Sequence, residues 1–411
     1  MKKVSISIIG AGNRGYEAYG KLLLNREDVK VVAVAEPDRI KRERFSKEHN
    51  VPKENQFASW EELLSREQLS DGLIIATPDR LHVEPAIKAA KFGYTILLEK
   101  PIAQNPEEIL KMLDIPEVKE RVTIAHVLRY TPFFKTLKGL LDNGEIGTII
   151  GIEHIERIGF FHFAHSYVRG NWRKKSESGP SILTKSCHDA DILHWLVGER
   201  CEKVISLGEL YHFSSENKPA EAAERCLDCS LKDSCPYSAT RIYLTGYTGW
   251  PVSVITTDLS YEGRLKALRE GPYGRCVYSS DNDVVDHQAT FFYFRNGVVA
   301  NFTMTAFSHD ITRQIRIHCS HGEIYGDLDG GFIELNIFGK ERKEVPIEGV
   351  KGGHSGGDEG LVEEFVALLK GEKKRLSTAF EDSVHSHMMA FAAEKSREQS
   401  GIVVPVTDFL V

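Results

Sequence analysis

Val4-Ser5-Ile6-Ser7-Ile8-Ile9-Gly10-Ala11-Gly12-Asn13-Arg14-Gly15 decides the fold of this chain. A short apolar run reads as a strand, three glycines follow at GxGxxG spacing, and a helical pattern continues from about Tyr16 to Leu24. The glycines differ in what they permit. The first allows a tight turn, the second lets the backbone approach a pyrophosphate, and the third allows close helix–strand packing. The free N–H groups and dipole of the helix N-terminus then face the phosphates. A second predicted strand, Val29–Ala35, ends at Glu36, 21 positions beyond Gly15. A carboxylate there accepts hydrogen bonds from the adenosine ribose and repels a 2′-phosphate, so NAD is expected. Arg39 lies close enough to leave room for NADP.

The same alternation of strand and helix continues. Arg39–Glu48 reads as a helix, Ser59 as the cap of a short second one, and His82 to about Phe92 as a third. Gly72–Ala76, Tyr94–Leu98 and Val122–Ala125 supply further strands, which makes a doubly wound α/β Rossmann domain over residues 1–126. Beyond residue 130 the apolar period becomes two, in Ile149–Arg157, Val204–His212, Val252–Leu259, Gln288–Phe294, Val298–Thr305 and Gln314–Cys319. Such alternation predicts a large open, mainly antiparallel sheet with one face covered. Helices are expected at about Cys187–Leu196, Glu359–Leu369 and Glu381–Glu394. Residues 127–411 are therefore read as an α+β substrate-binding and oligomerisation domain. Gly352-Gly353-His354-Ser355-Gly356-Gly357 is a loop, with Asp358 expected to cap the helix after it.

The bulk composition fits two soluble domains. The 411 residues are 41% hydrophobic and 27% charged, with a formal net charge of −7. That acidity disfavours nucleic acid or an anionic membrane as partner. No apolar run reaches the roughly 20 residues of a transmembrane helix. Met1-Lys2-Lys3 leads straight into the first strand with no small-residue cleavage site, and seven cysteines suggest thiols rather than a disulfide framework. A cytoplasmic protein is expected.

Further segments carry chemistry. Ala76-Thr77-Pro78 ends the fourth strand, with His82 just after, and Leu97-Leu98-Glu99-Lys100-Pro101 ends the fifth. With Arg129-Tyr130, Gly144-Glu145-Ile146-Gly147, Cys187-His188-Asp189-Ala190-Asp191 and Glu394-Lys395-Ser396-Arg397, these segments resemble the Gfo/Idh/MocA family of sugar and polyol oxidoreductases. The resemblance covers nearly the whole chain. It implies a cofactor pocket of Gly10, Gly12, Asn13, Arg14, Gly15, Glu36, Thr77, Pro78, His82, Glu99 and Lys100. It also implies that Lys100 holds the substrate hydroxyl beside the nicotinamide and that His188 acts as general base, a role suited to an ordinary pKa of about 6.5. A surface lysine paired with Glu99 and a buried, satisfied helix histidine are the plain alternatives. Many relatives carry Asp four residues before this histidine; here it is Thr184, beside Lys185, which becomes a candidate catalytic partner. Asp191, at i+3, shares a helix face with His188 and could orient it, or could serve packing near Trp195.

Substrate contacts are expected from Arg129, Asp191 and the donor-rich segment containing His165, Tyr167, Arg169 and Trp172; a surface loop or subunit contact is the alternative for that segment. The polar stretch 271–287 has no assigned role. Within a Cys-rich insertion, about 212–237, Cys226-x-x-Cys229 and Cys235 form a candidate structural zinc site, with His212 chosen as fourth ligand and Cys201 or Cys276 as alternatives. Free thiols are the main competing reading of the same cysteines; a redox disulfide fits a cytosolic chain less well, and an iron–sulfur cluster lacks a fourth cysteine nearby in sequence.

Hydride transfer between NAD and a secondary alcohol of a carbohydrate-like substrate is the expected function. An NAD-dependent glycoside hydrolase, working by transient oxidation, elimination, water addition and re-reduction, is the second possibility. A non-catalytic cofactor-binding sensor is the third. The open sheet, by the same resemblance, predicts a homodimer or homotetramer.

Overall fold

The computed structural model of the chain describes residues 3–349 and 353–410. Six parallel strands form the first sheet: β1 (Val4–Ile9), β2 (Val29–Ala35), β3 (Gln56–Phe57), β4 (Gly72–Ile75), β5 (Thr95–Leu98) and β6 (Val122–Ile124). Their spatial order is β3-β2-β1-β4-β5-β6, so the strand order reverses between β1 and β4. Open α/β sheets bind ligands outside the carboxyl ends of strands at such a switch point. The strands are largely buried and rich in Val, Ile and Leu, as a sheet covered on both faces requires. Ser59 caps its short helix as expected, accepting from the Glu62 amide at 3.3 Å.

The helix Gly357–Lys370 returns to this domain: Leu361, Phe365 and Val366 pack with Ile6, Ile8 and Val34 of β1 and β2. One residue of its preceding loop, Gly352, lies outside the described residues. The helix expected from Tyr16 begins earlier, as a wide-turned segment over Asn13–Gly20 followed by Lys21–Leu24.

The second sheet has nine strands: β7 (Ile149–Arg157), β8 (Cys201–Glu209), β9 (His287–Phe294), β10 (Val299–Thr305), β11 (Thr312–Cys319), β12 (Gly322–Asp327), β13 (Phe332–Ile337), β14 (Lys343–Val345) and β15 (Val404–Pro405). All neighbours pair antiparallel except β7 with β10. The inward side chains, among them Ile152, Val204, Phe292, Phe302 and Ile315, join the main core with the helices Cys187–Val197 and Phe380–Glu398. The outward face keeps Ile150, Ile205, Leu207, Phe291 and Val299 exposed.

One predicted strand is wrong. Val252–Leu259 is not in the sheet; Val252–Ile255 is a single helical turn after the cis Trp250–Pro251 bond. Its β-branched residues pack instead into a small separate cluster, where Val252 meets Tyr243, Leu268 and Cys226. Burial in that cluster outweighs strand propensity.

Candidate active site

The glycine turn is built for close approach. Gly10 has φ +89°, and a Cβ there would lie 2.5 Å from the Ala76 carbonyl; a Cβ on Gly15 would lie 1.8 Å from the Gly10 carbonyl. A Cβ on Gly12 would meet nothing within 4 Å, so the loop presents bare backbone to open space at the start of the helix. That cradle fits a pyrophosphate. Glu36 closes the other side: it accepts from the Ala11 amide at 2.7 Å and the Asp38 amide at 3.0 Å.

Arg14 does not stand free above the cradle. Its Nε donates to Glu99 at 2.6 Å and its Nη2 to Asp358 at 2.7 Å. The Tyr19 hydroxyl also donates to Glu99, at 2.5 Å. Burial works against both carboxylates, yet Arg14 with Tyr19 or His354 holds each below its ordinary range. Asp358 does not act as the expected N-cap: the cap position is Gly356, and the carboxylate turns to Arg14 and His354. A full cation attracts it more strongly than backbone amides do. The pair thereby ties the loop before Gly357 to the glycine turn.

His82 is wholly buried and joins two turns, with Nδ1 2.7 Å from the Pro101 carbonyl and Nε2 3.0 Å from the Thr77 carbonyl. Its ring therefore fixes the Ala76-Thr77-Pro78 turn against Lys100-Pro101, whose peptide bond is cis. The ring nitrogens are committed to those carbonyls. Thr77 itself donates to the Leu81 carbonyl at 3.0 Å.

Lys100 leaves the carboxyl end of β5 and donates through Nζ to the Thr184 carbonyl at 2.6 Å. The backbone of Thr184 thus positions the ammonium, while its hydroxyl turns to the Pro180 carbonyl at 3.2 Å. His188 lies one turn further along, buried, with Nδ1 unpartnered. Burial, then the charge of Lys100, pushes its imidazole well below the ordinary histidine range. His126 and His354 flank it at ring separations of 5.7 and 6.3 Å. Lys185 is ion-paired with Glu156 at 3.0 Å. Glu156 also pairs with Arg313, which bonds Asp189 at 2.7 Å, and His154 meets the same Asp189 at 2.8 Å.

Several expected substrate ligands are spent elsewhere. Asp191 forms a two-pronged pair with Arg129 at 2.6 and 2.7 Å and does not reach His188 by a hydrogen bond. Arg129 also donates to the Ser377 carbonyl at 2.7 Å, so both side chains hold the fold. Their mutual charge and near-complete burial explain the pairing. His165 bonds the Tyr243 hydroxyl at 2.8 Å and stacks on Tyr273. Arg169 is buried against the carbonyls of Arg275 and Tyr237. Tyr167 stacks between Phe163 and Trp172. Trp172 comes closest to the site, donating at 3.0 Å to Asp79 just beyond β4. Burial raises the Asp79 carboxyl against the opposing pull of His82 and Lys100. Sequence reasoning misses Asp79, His126 and His354 as site residues; His354 lies in the glycine-rich loop read only as a loop, and only the tertiary fold brings the three to this region.

His212 is not beside Cys226, Cys229 and Cys235. It meets the Tyr278 hydroxyl at 3.1 Å and packs among Phe213, Tyr237 and Phe307, an aromatic nest that holds the ring away. Among the described residues no three His, Cys, Asp or Glu side chains stand close enough to grip one ion.

The buried histidines have a measurable consequence. Burial lowers His165 and His387 to about 3 and His194 and His385 to about 4, and lowers His126, His162 and His188 as well. In the unfolded chain each binds a proton below about pH 6.5, whereas the folded chain keeps it neutral. Stability is therefore full above that pH and falls as pH drops through 6 and 5, by on the order of 1 kcal/mol per unit for each group. Tm measured by calorimetry at pH 7.5 and pH 5.0 should fall by several degrees; an unchanged Tm would contradict the burial pattern.

Comparison with known proteins agrees with this geometry. The oxidoreductase-family model for an NAD-binding Rossmann fold matches residues 4–126, and the model for that family's C-terminal alpha/beta domain matches residues 138–406. The chain is 22% identical to oxidoreductase YteT of Bacillus subtilis over 388 residues, 88% of each chain. It is 29% identical over 209 residues to 2,7-anhydro-N-acetylneuraminate hydratase of Mediterraneibacter gnavus, covering 51% of this chain and 53% of the hydratase. A levoglucosan dehydrogenase, solved with NADH and levoglucosan, superposes with a TM-score of 0.72 at 19% identity, covering 98% of this chain and 100% of the other. With both family models together spanning nearly the whole sequence, and the glycine cradle and Glu99-Lys100-Pro101 in place, the chain belongs to the Gfo/Idh/MocA family of NAD-binding oxidoreductases.

Proposed function

We propose that the chain transfers a hydride between NAD and a secondary alcohol of a sugar, polyol or sugar derivative. The observation that carries this reading is the anchoring of Lys100 Nζ at 2.6 Å on the Thr184 carbonyl, beyond the carboxyl end of β5 and four residues before the buried His188. NAD supplies the hydride acceptor when bound. His188, neutral because it is buried, takes the hydroxyl proton, and the Lys100 ammonium steadies the alkoxide that develops. Lys185, held by Glu156, adds positive charge from the neighbouring helical segment. The levoglucosan dehydrogenase neighbour supports a carbohydrate substrate.

A second reading has its own support. Two relatives are 2,7-anhydro-N-acetylneuraminate hydratases, whose reaction as named leaves no net oxidation. In that scheme this chain would oxidise transiently, eliminate a glycosidic group, add water and re-reduce. Purified protein with NAD should be given free sugars, polyols, uronates and nitrophenyl glycosides. A rise in NADH absorbance with a free sugar or polyol establishes the dehydrogenase. NAD-dependent nitrophenolate release without net NADH replaces it with the second reading, and silence in every well sinks both.

NAD is the cofactor this reading expects, because Glu36 stands where a 2′-phosphate would lie. Glu36→Ala should weaken NADH binding about tenfold, roughly 1.4 kcal/mol, and narrow the preference over NADPH in fluorescence titration. An unchanged preference would remove Glu36 from the cofactor site. The apolar outer face of the second sheet supports a homodimer or homotetramer. Light scattering at micromolar concentration should give a multiple of 46.2 kDa; a mass of one chain would contradict it. No helix among the described residues is long and apolar enough to cross a membrane. Seven free cysteines support a cytoplasmic setting.

A further inference from the structure

Cys226, Cys229, Cys235 and Cys276 line one small cavity of about 30 Å³, together with Arg169 and Lys232. Three of the thiols come from the Cys-rich insertion. The fourth arrives from the polar stretch 271–287, whose backbone pairs with the insertion: Arg225 bridges Arg275, and the Cys276 amide donates to the Glu224 carbonyl at 2.9 Å. All four are free.

Arg169 is the second observation. It is 1% exposed, yet its Nη1 has no hydrogen-bond partner. Its Nη2 reaches the Cys226 sulfur at 3.5 Å. A bare donor on a buried cation is costly unless an anion stands against it. Four thiolates around Zn²⁺ or around an iron–sulfur core form a centre of net negative charge, which Arg169 and Lys232 would offset.

We propose that Cys226, Cys229, Cys235 and Cys276 are the ligands of a four-thiolate metal centre. Each thiol gives its proton to solvent on binding, and each sulfur forms one metal bond. The sulfurs surround a space and no three are gathered to the spacing a single ion needs. A core that carries its ligands on its corners suits that space better than one Zn²⁺ with bonds of about 2.3 Å. An iron–sulfur cluster is therefore the occupant favoured. The sequence Cys235-Pro236 also matches the Cys-Pro that closes bacterial cluster motifs. The centre clips the insertion to stretch 271–287 and, through Arg169, fixes the segment Ala164–Arg169 that precedes Trp172.

The test is metal analysis of the full-length protein purified without oxygen. Iron and acid-labile sulfide in equal amounts, about four of each per chain, lost in Cys276→Ser and kept in Cys201→Ser, is the expected result. Zinc at one per chain in place of iron would overturn the assignment, because no three of these side chains stand at the spacing a single ion needs. Metal that persists in Cys276→Ser would overturn the proposal, as would metal-free protein with four titratable thiols or a disulfide. X-ray absorption on the wild-type protein guards against a variant that fails to fold. A sulfur-only ligand shell is expected, and a histidine nitrogen in it would contradict the assignment.

Discussion

Replacing Lys100 by methionine should lower kcat/KM by roughly 10²–10³ while leaving NAD affinity within a few-fold of wild type. Methionine preserves most of the volume and apolar stem but removes the ammonium. In the resting site that ammonium is held by the Thr184 carbonyl at 2.6 Å, so it is anchored at a fixed point rather than swinging in solvent. An alkoxide arriving beside it offers a stronger partner than a neutral carbonyl does. The contact therefore strengthens as charge develops, and its loss should appear in kcat more than in KM. Steady-state kinetics with the substrate found by the sugar panel, together with NADH fluorescence titration, measure both quantities. A variant that keeps wild-type kcat would remove Lys100 from the chemistry.

His188→Asn should cost more, about 10²–10⁴ in kcat, because it removes the proton acceptor itself. The pH profile is the more telling readout. A general base must be neutral to act, and burial, then Lys100, keeps this imidazole neutral well below the usual pH. The acid limb of kcat/KM should therefore lie below about pH 6.5, with activity flat through neutrality. A limb at or above that value would mean that the ring is solvated, or that another group takes the proton. The double variant should be little worse than His188→Asn alone, since two members of one proton-and-charge relay do not add.

The cofactor half of this site is legible in the sequence because its determinants are local. Strand, glycine turn, helix and Glu36 lie within the first 36 residues, and their spacing alone fixes the geometry. Lys100 is legible for the same reason, at the end of a short apolar strand. The second domain is harder. Strands β7, β9, β10 and β11 follow from clean alternation, but β12 is interrupted by Gly322 and Gly326, β13 is half-exposed over most of its length, and β14 is only three residues long. Val252–Leu259 misleads because β-branched residues signal a strand only where a partner strand exists. Arg129 and Asp191 are 62 positions apart, and nothing in either segment signals that each would satisfy the other. His354 reaches His188 from the far end of the chain. The Cys276 thiol joins the other three through a backbone pairing that no local pattern shows.

The proposal rests on one placement above all: the nicotinamide of NAD docks with Lys100 and His188 together on one side of its ring. A crystal structure of the binary complex with NAD tests it most directly. The account predicts the pyrophosphate over Gly12, the adenosine ribose on Glu36, and the nicotinamide ring over β5, with Lys100 Nζ and His188 facing one side of it. A nicotinamide ring bound elsewhere, with Lys100 still fixed to Thr184 and His188 walled off from it, would contradict the account.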